Sequence, residues 1–567
     1  MEEAKNMVEK EYQRWLENTE NDPEIYKELL AVQNDVEGIE DRFYKELEFG
    51  TGGLRGVLGA GTNRLNVFTI GKATQGVSNY LKKNFAEPSV AIAYDSRIHS
   101  DLFAQTAAAV YAANGIHVHI YPKLMPTPSL SFAVRDLHCS GGVVVTASHN
   151  PAKYNGYKVY GADGCQITTE AAAAIQAEIN AVDVFADVKH GDFDALVEAS
   201  MIRYIGEDTV ERYLAAVSTQ SVLPAGIDKN VSIIYTPLNG AGISCVPRNL
   251  KEHGFTNITI PDEQKDPDGN FPTCPYPNPE IREALTVGLA WAERMGSDML
   301  LATDPDCDRV GVAVKGKNGY ELISGNEMGV LLLDYICKMR VANGTMPQNP
   351  VAVKTIVTTP MAQRVADHYG VQLIDVLTGF KFIGEQIGLL EKQGEAERYI
   401  FGFEESYGYL SGSFVRDKDA VNASLLICEM FVYCKAQGKS LIDILDELYA
   451  QYGYYNTRLL SFAFEGSAGF AKMQELIDSL RRDMPGEIAG FAVEKTVDYL
   501  RQEIPGLPKS NVLRFFLQGG MEAVVRPSGT EPKLKIYLTT VGKDRAESTE
   551  NTNKLDTYFT NWAKGEE

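Results

Sequence analysis

Ser89-Val-Ala-Ile-Ala-Tyr-Asp95 runs into an amphipathic stretch through Val110, then Asn114-Gly115, then Ile116-His-Val-His-Ile120. A short β-rich run, a turn, a helical period closed by glycine and a second β run make a βαβ unit, which implies parallel strands. The pattern recurs twice. Val231 to Thr236 leads through a helical stretch ending at His253-Gly254 into Phe255 to Ile260. Val351 to Val357 leads through Thr358-Thr-Pro360 and a helix ending at Tyr369-Gly370 into Val371 to Val376. Three copies predict three related α/β mixed-sheet domains.

Each unit is followed by a strand that ends in a polar loop: Gly142 to Thr146 before Ala147-Ser-His-Asn-Pro151, Met299 to Thr303 before Asp304-Pro-Asp-Cys-Asp-Arg309, and Tyr399 to Phe403 before Glu404-Glu-Ser406. Open α/β sheets bind ligands at the carboxyl ends of their strands, so three such loops predict a shared central cleft. From about Tyr452 the pattern changes. Helical periods over Phe470 to Arg481 and Val493 to Arg501 alternate with strands over Glu522 to Arg526 and Leu534 to Thr539, with no βαβ unit. This reads as a fourth, α+β domain. The expected division is 1–205, 206–322, 323–452 and 453–567, and the length of 567 residues agrees with about four domains of ~150 residues each.

The formal charge is −22 and there is no basic block, which argues against a nucleic-acid or anionic-membrane partner. An anionic substrate would have to be captured by local cations. No apolar run approaches the ~18 residues that span a bilayer, and Met1 to Asn18 reads as a charged amphipathic helix with no secretory core. The 8 Cys are scattered and form no CxxC, which points to reduced thiols and a cytoplasmic location.

Asp304-x-Asp306-x-Asp308 gathers three carboxylates on one turn, where their mutual repulsion calls for a hard divalent cation, best Mg²⁺. A calcium EF-hand fails, because Arg309 and Lys315 stand where glycine and glutamate are needed. A phosphatase with an aspartyl nucleophile and a solvated acidic turn remain as alternatives. Arg309 beside the acids suits a bound phosphate. Ser148 and His149 follow a Val-rich strand without the Gly-x-Ser-x-Gly of a hydrolase elbow; His149 could activate Ser148, but adjacent side chains diverge and it reads rather as positional. Ser148 could otherwise be a helix-capping turn residue. Arg526-Pro-Ser528-Gly529-Thr530 offers a guanidinium fork, two hydroxyls and an open backbone, a phosphate cradle or an ordinary turn. Arg55 lies in the glycine-rich loop Phe49-Gly-Thr-Gly-Gly-Leu-Arg55, which follows a helical segment and is not a dinucleotide fingerprint. Glu404 and Ser406 suit sugar hydroxyls, or a helix N-terminus with acidic first-turn residues.

In this order the four loops resemble the α-D-phosphohexomutase family, over roughly Phe49 to Tyr537. Thr146-Ala-Ser-His-Asn-Pro151 with Asn155-Gly-Tyr-Lys158, the Asp304–Arg309 loop, Gly402-Phe-Glu-Glu-Ser406 and Arg526-Pro-Ser-Gly-Thr-Glu-Pro532 carry the resemblance, and Phe271-Pro272, Pro277-Asn-Pro-Glu280 and Thr378-Gly-Phe-Lys381 fit it. With the additional Phe403 and the run Val415-Arg-Asp-Lys-Asp-Ala420, the chain looks like the longer phosphoglucomutase/phosphopentomutase branch.

The resemblance implies that Ser148 carries a phosphoryl group, and that Ser148, Asp304, Asp306 and Asp308 hold Mg²⁺. Lys158 and Arg309 would act at the transferred group. Arg55, His149, Thr378, Lys381, Glu404, Ser406 and Lys418 would bind the phosphosugar, with Arg526, Ser528, Gly529 and Thr530 on the distal phosphate. The four domains would then supply, in order, a helical extension with the phosphoserine, the metal site, the sugar site and the distal phosphate site. The implied reaction interconverts glucose 1-phosphate and glucose 6-phosphate through glucose 1,6-bisphosphate, with mannose or pentose phosphates as alternative substrates. A metal-dependent sugar-phosphate phosphatase is the alternative reaction. The partner is a small phosphosugar, and the expected state is a monomer or weak homo-oligomer.

Overall fold

The computed structural model describes residues 2–50, 52–317, 319–464, 466–502, 504–527 and 533–565. The first sheet contains β1 (Gly53–Val57), β2 (Ser89–Tyr94), β3 (His117–Ile120), β4 (Gly141–Val145), β5 (Tyr154–Gly161) and β6 (Ile202–Tyr204), in the order β1-β5-β4-β2-β3-β6. The second contains β7 (Ile233–Thr236), β8 (Ile258–Thr259), β9 (Met299–Thr303), β10 (Val310–Gly316) and β11 (Gly319–Ile323), in the order β11-β10-β9-β7-β8. The third contains β12 (Val351–Thr355), β13 (Gln372–Val376), β14 (Tyr399–Glu404) and β15 (Gly408–Leu410), in the order β13-β12-β14-β15.

One core repeats in all three. The βαβ strands pair in parallel, as β2 with β3, β7 with β8 and β12 with β13. The following strand, β4, β9 or β14, adds in parallel to the first of them. It then turns back into an antiparallel partner, β5, β10 or β15. The three polar loops are therefore the same corner of the same fold, the hairpin turn at the carboxyl end of a central strand. Those central strands read as unbroken apolar runs because helices cover both faces; every residue of β4 and β9 is buried. The crossover helix Ser100–Ala113 buries Phe103, Ala104, Ala107, Ala108 and Tyr111, the i, i+3/i+4 stripe that turns it onto the sheet.

The fourth domain is one antiparallel sheet of β16 (Tyr454–Ala463), β17 (Glu487–Ile488), β18 (Phe491–Asp498), β19 (Leu513–Leu517), β20 (Met521–Pro527) and β21 (Lys533–Gly542), in the order β16-β21-β20-β19-β18-β17. Met473, Ile477 and Leu480 of one helix and Leu555 and Phe559 of another share its core. The helix expected over Val493 to Arg501 is instead β18 and the turn after it. A bulge between Val493 and Lys495 shifts the alternation, so the inward positions Phe491 and Val493 are followed by Thr496, and the run does not read as a regular period of two.

Before β1, helices Glu2–Asn18, Pro23–Ala31 and Val36–Phe43 build a small aromatic core. Trp15 meets Phe43, Phe68 and Phe185 edge to face at 5.4–5.8 Å, which fastens this extension to the first domain. Among the described residues no helix is long and apolar enough to cross a membrane. All 8 cysteines are buried.

Candidate active site

The three hairpin corners and the fourth sheet converge on one cleft of about 1130 Å³. Arg55, Ser148, His149 and Lys158 line it from the first domain and Asp308 and Arg309 from the second. Thr378, Lys381, Glu404, Ser406 and Lys418 line it from the third, and Arg526 from the fourth. Ser528, Gly529 and Thr530 lie outside the described residues. Size and lining suit a small polar ligand held by convergent charged groups.

Ser148 sits on the β4–β5 corner in the left-handed region, at φ +53°. Its backbone N–H donates to Thr146 Oγ1 at 2.8 Å, which holds the turn. Its Oγ donates to Asp304 Oδ2 at 2.8 Å and lies 3.2 Å from His149 Nδ1. Burial and the guanidinium charges of Arg309 and Arg55 push His149 well below its ordinary pKa, so the ring is neutral. His149 is thus a polar neighbour of Ser148 and not a cation.

Asp304, Asp306 and Asp308 are wholly buried, and one ligand oxygen from each lies within 4.8 Å of the others. Asp304 Oδ1 accepts the N–H groups of Asp308 and Arg309 at 3.1 and 3.0 Å, which curls the loop so that the carboxylates face one point. Lys158 Nζ reaches Asp306 at 2.8 Å and Asp308 at 3.5 Å, and Lys418 Nζ reaches Asp308 at 2.8 Å. Thr127 donates to Asp306 at 2.9 Å. Burial and the neighbouring charges of Asp306 and Asp308 push Asp304 well above the ordinary carboxylate range. Burial opposes ionisation of Asp306 as well, but Lys158 outweighs it and holds Asp306 below that range. Asp306 Oδ1 and Asp308 Oδ1 are buried with no hydrogen-bond partner among the described residues. Two orphaned oxygens in an all-oxygen acidic cluster fit a hard divalent cation.

Arg309 crosses the cleft floor to Glu280 Oε1 at 2.7 Å and the carbonyl of Ser406 at 3.1 Å. Burial lifts the Glu404 carboxyl to about 7, against the pull of Lys418. Glu405 turns to the hydroxyls of Thr355 and Thr358 at 3.4 and 3.3 Å. Thr378 Oγ1 has no partner among the described residues. Arg526 interacts with the hydroxyl of Tyr537, another lining residue.

Family models for phosphoglucomutase/phosphomannomutase α/β/α domains I, II and III match residues 46–184, 211–318 and 324–452. The chain belongs to the phosphoglucomutase/phosphomannomutase family. It is an isomerase of the phosphohexomutase kind. A curated protein named phosphoglucomutase from Staphylococcus saprophyticus is 37% identical, over 93% of this chain and 95% of the relative. One of the same name from Staphylococcus aureus strain N315 is 36% identical, over 93% and 94%. Among solved structures, a putative phosphomannomutase from Thermus thermophilus superposes at a TM-score of 0.67 with 23% identity, covering 90% of this chain and 99% of that one. The open form of Paramecium parafusin superposes at the same TM-score with 19% identity, covering 92% and 96%. These two likenesses concern the fold.

Sequence reasoning overlooked several groups of this family member. Asp95, Arg97, Thr127, Tyr160 and Asp417 stand behind the lining residues and hold them. Asp95 and Arg97 follow the carboxyl edge of a parallel strand, a position that draws attention, but the partners of the Arg97 side chain are backbone carbonyls that no residue type announces. Thr127, Tyr160 and Asp417 act across domain boundaries and had no local signal.

Proposed function

We propose that the chain interconverts α-D-glucose 1-phosphate and glucose 6-phosphate by way of phosphoserine 148 and glucose 1,6-bisphosphate. The observation that carries this reading is the 2.8 Å contact of Ser148 Oγ with Asp304, at the head of an acidic cluster with orphaned oxygens, in a cleft lined with cations. The relatives named phosphoglucomutase support glucose as the sugar.

In the transfer the sugar O6 attacks the phosphorus on Ser148. The P–Oγ bond breaks as P–O6 forms, and the O6 proton ends on Oγ. Lys158 relays it: burial opposes its charge, Asp306 and Asp308 restore it, and the ammonium starts with a proton to give. Arg309 draws charge from the phosphoryl oxygens, and its contacts with Glu280 and Ser406 fix its direction. Asp304, Asp306 and Asp308, with an oxygen on Ser148, would hold Mg²⁺, which when bound supplies Lewis-acid neutralisation of phosphoryl charge. Glu404, Ser406, Thr378, Lys381, Arg55 and Lys418 grip the sugar and its near phosphate. His149 orients Ser148. Arg526 with Ser528, Gly529 and Thr530 takes the far phosphate, so the bisphosphate can turn end for end and return the other group to Ser148.

This reading assigns the phosphoserine to 1–205, the metal to 206–322, the sugar to 323–452 and the distal phosphate to 453–567, in a cytoplasmic monomer or weak homo-oligomer. A panel of glucose, mannose, N-acetylglucosamine and ribose 1-phosphates, each with its bisphosphate as activator, tests the assignment. The fastest turnover is expected with glucose. Release of inorganic phosphate without isomerisation would replace the mutase with a phosphatase.

A further inference from the structure

The segment Asp95-Ser-Arg97 leaves the carboxyl end of β2 and does not line the cleft. The Arg97 side chain is wholly buried. One terminal nitrogen donates to the carbonyls of Pro151 and Tyr154 at 3.0 and 2.9 Å. The other donates to the carbonyl of Ser148 at 2.6 Å and to that of Asn150. A single guanidinium fork therefore closes the whole corner from Ser148 to Tyr154. Asp95 lies behind it and accepts the N–H of Arg97 at 2.9 Å, the hydroxyl of Ser100 at 2.9 Å and that of Thr146 at 2.6 Å. Thr146 is the residue whose oxygen receives the Ser148 N–H, so Asp95 and Arg97 together hold Ser148 in its left-handed conformation.

The fork also reaches another domain. The guanidinium lies 5.1 Å from the ring of Phe271. Two residues earlier, Gly269 packs so closely that a Cβ there would stand 2.4 Å from the Ile98 nitrogen. The segment that carries Phe271 belongs to the domain that carries Asp304. Arg97 thus binds the serine corner with its edge and the acidic domain with its face.

We propose that Arg97 is a positioning residue that sets Ser148 Oγ against Asp304 across the boundary between the first and second domains, with Phe271 as its clamp. This rests on the phosphoserine reading above. Because Arg97 does not itself line the cleft and grips the corner that carries Ser148 through its backbone carbonyls, its effect falls chiefly on the transfer step. A lysine keeps the charge but cannot span four carbonyls as a planar fork does.

The test compares the full-length wild type, Arg97→Lys and Phe271→Leu in Mg²⁺. Single-turnover labelling of Ser148 by glucose 1,6-bisphosphate is followed by peptide mass, beside steady-state kcat and KM. For Arg97→Lys the labelling rate and kcat are expected to fall about 100-fold, the scale of a misplacement of an ångström, with KM within about threefold. For Phe271→Leu a fall of about 10-fold is expected. Wild-type rates in both variants would overturn the proposal. So would a smaller labelled fraction at an unchanged rate per labelled site, since that marks a merely structural role. If Arg97→Lys does not fold, Phe271→Leu decides by the same two measures. A wild type that turns over but is never labelled at Ser148 would overturn the phosphoserine reading and this proposal with it.

Discussion

Tyr160 of β5 donates a 2.7 Å hydrogen bond to Oδ2 of Asp417, the neighbour of Lys418. Asp417 Oδ1 in turn lies 3.2 Å from Lys418 Nζ, which is the group that neutralises Asp308. A tyrosine of the first domain thus helps aim a lysine of the third at an acid of the second. Tyr160→Phe leaves a buried carboxylate one donor short. We expect a loss of about 1–3 kcal/mol in denaturant-induced unfolding. We also expect kcat/KM to fall by up to roughly 10-fold as Asp417 draws Lys418 from Asp308. An unaltered unfolding midpoint would show that the bond carries no weight.

Ser148→Ala removes the atom to which the proposed mechanism transfers the phosphoryl group. Mutase activity should drop by at least roughly 10³-fold, as for removal of other covalent nucleophiles. The fold should persist, because alanine needs no partner and the corner keeps its hold on Arg97 through the backbone carbonyl of residue 148. Circular dichroism with a coupled assay for glucose 6-phosphate reads both; substantial residual turnover would refute covalent transfer through this oxygen.

Chelation should stop turnover, and added Mg²⁺ should restore it. Asp306→Asn should also raise the Mg²⁺ concentration needed for half-maximal activity by at least about 10-fold, since one orphaned oxygen of the cluster loses its charge. Activity indifferent to chelator would remove the metal from the reaction.

The pH dependence follows from Glu404. Its folded pKa of about 7 lies above the ordinary 4.5, chiefly because it is buried. The folded chain therefore binds this proton more tightly than the unfolded chain does. Its stabilising contribution is complete below about pH 4.5 and is lost as the pH rises to 7, by up to about 3 kcal/mol. Glu404→Gln should flatten the stability profile over that window. If the carboxylate is the form that grips sugar hydroxyls, wild-type kcat/KM climbs through pH 7 and the variant lacks that limb. An identical pH–rate profile in both proteins would separate Glu404 from substrate binding.

The parts of this molecule that a sequence displays are those written locally. Each βαβ unit carries its glycine-closed helix and apolar strands within a few dozen residues. Asp304-x-Asp306-x-Asp308 shows its chemistry in five consecutive positions. The strand at Phe491–Asp498 was misread because one bulged residue shifts the alternation on which strand recognition depends. The arginine fork at position 97 was passed over because its ligands are backbone carbonyls, which have no letter in the sequence. Thr127 and Asp306 are far apart in the chain, and only the assembled domains bring them within 2.9 Å.

Both ammonium countercharges of the acidic turn come from outside its own domain, which supplies only the Arg309 guanidinium beside Asp308: Lys158 precedes the segment 211–318, and Lys418 follows it. Cut out as a fragment, that segment would face three like charges with neither ammonium at hand. It would have to take up protons, recruit a cation from solution or open the turn to water. The middle of this molecule is a distinct fold unit, yet its electrical balance belongs to the whole chain.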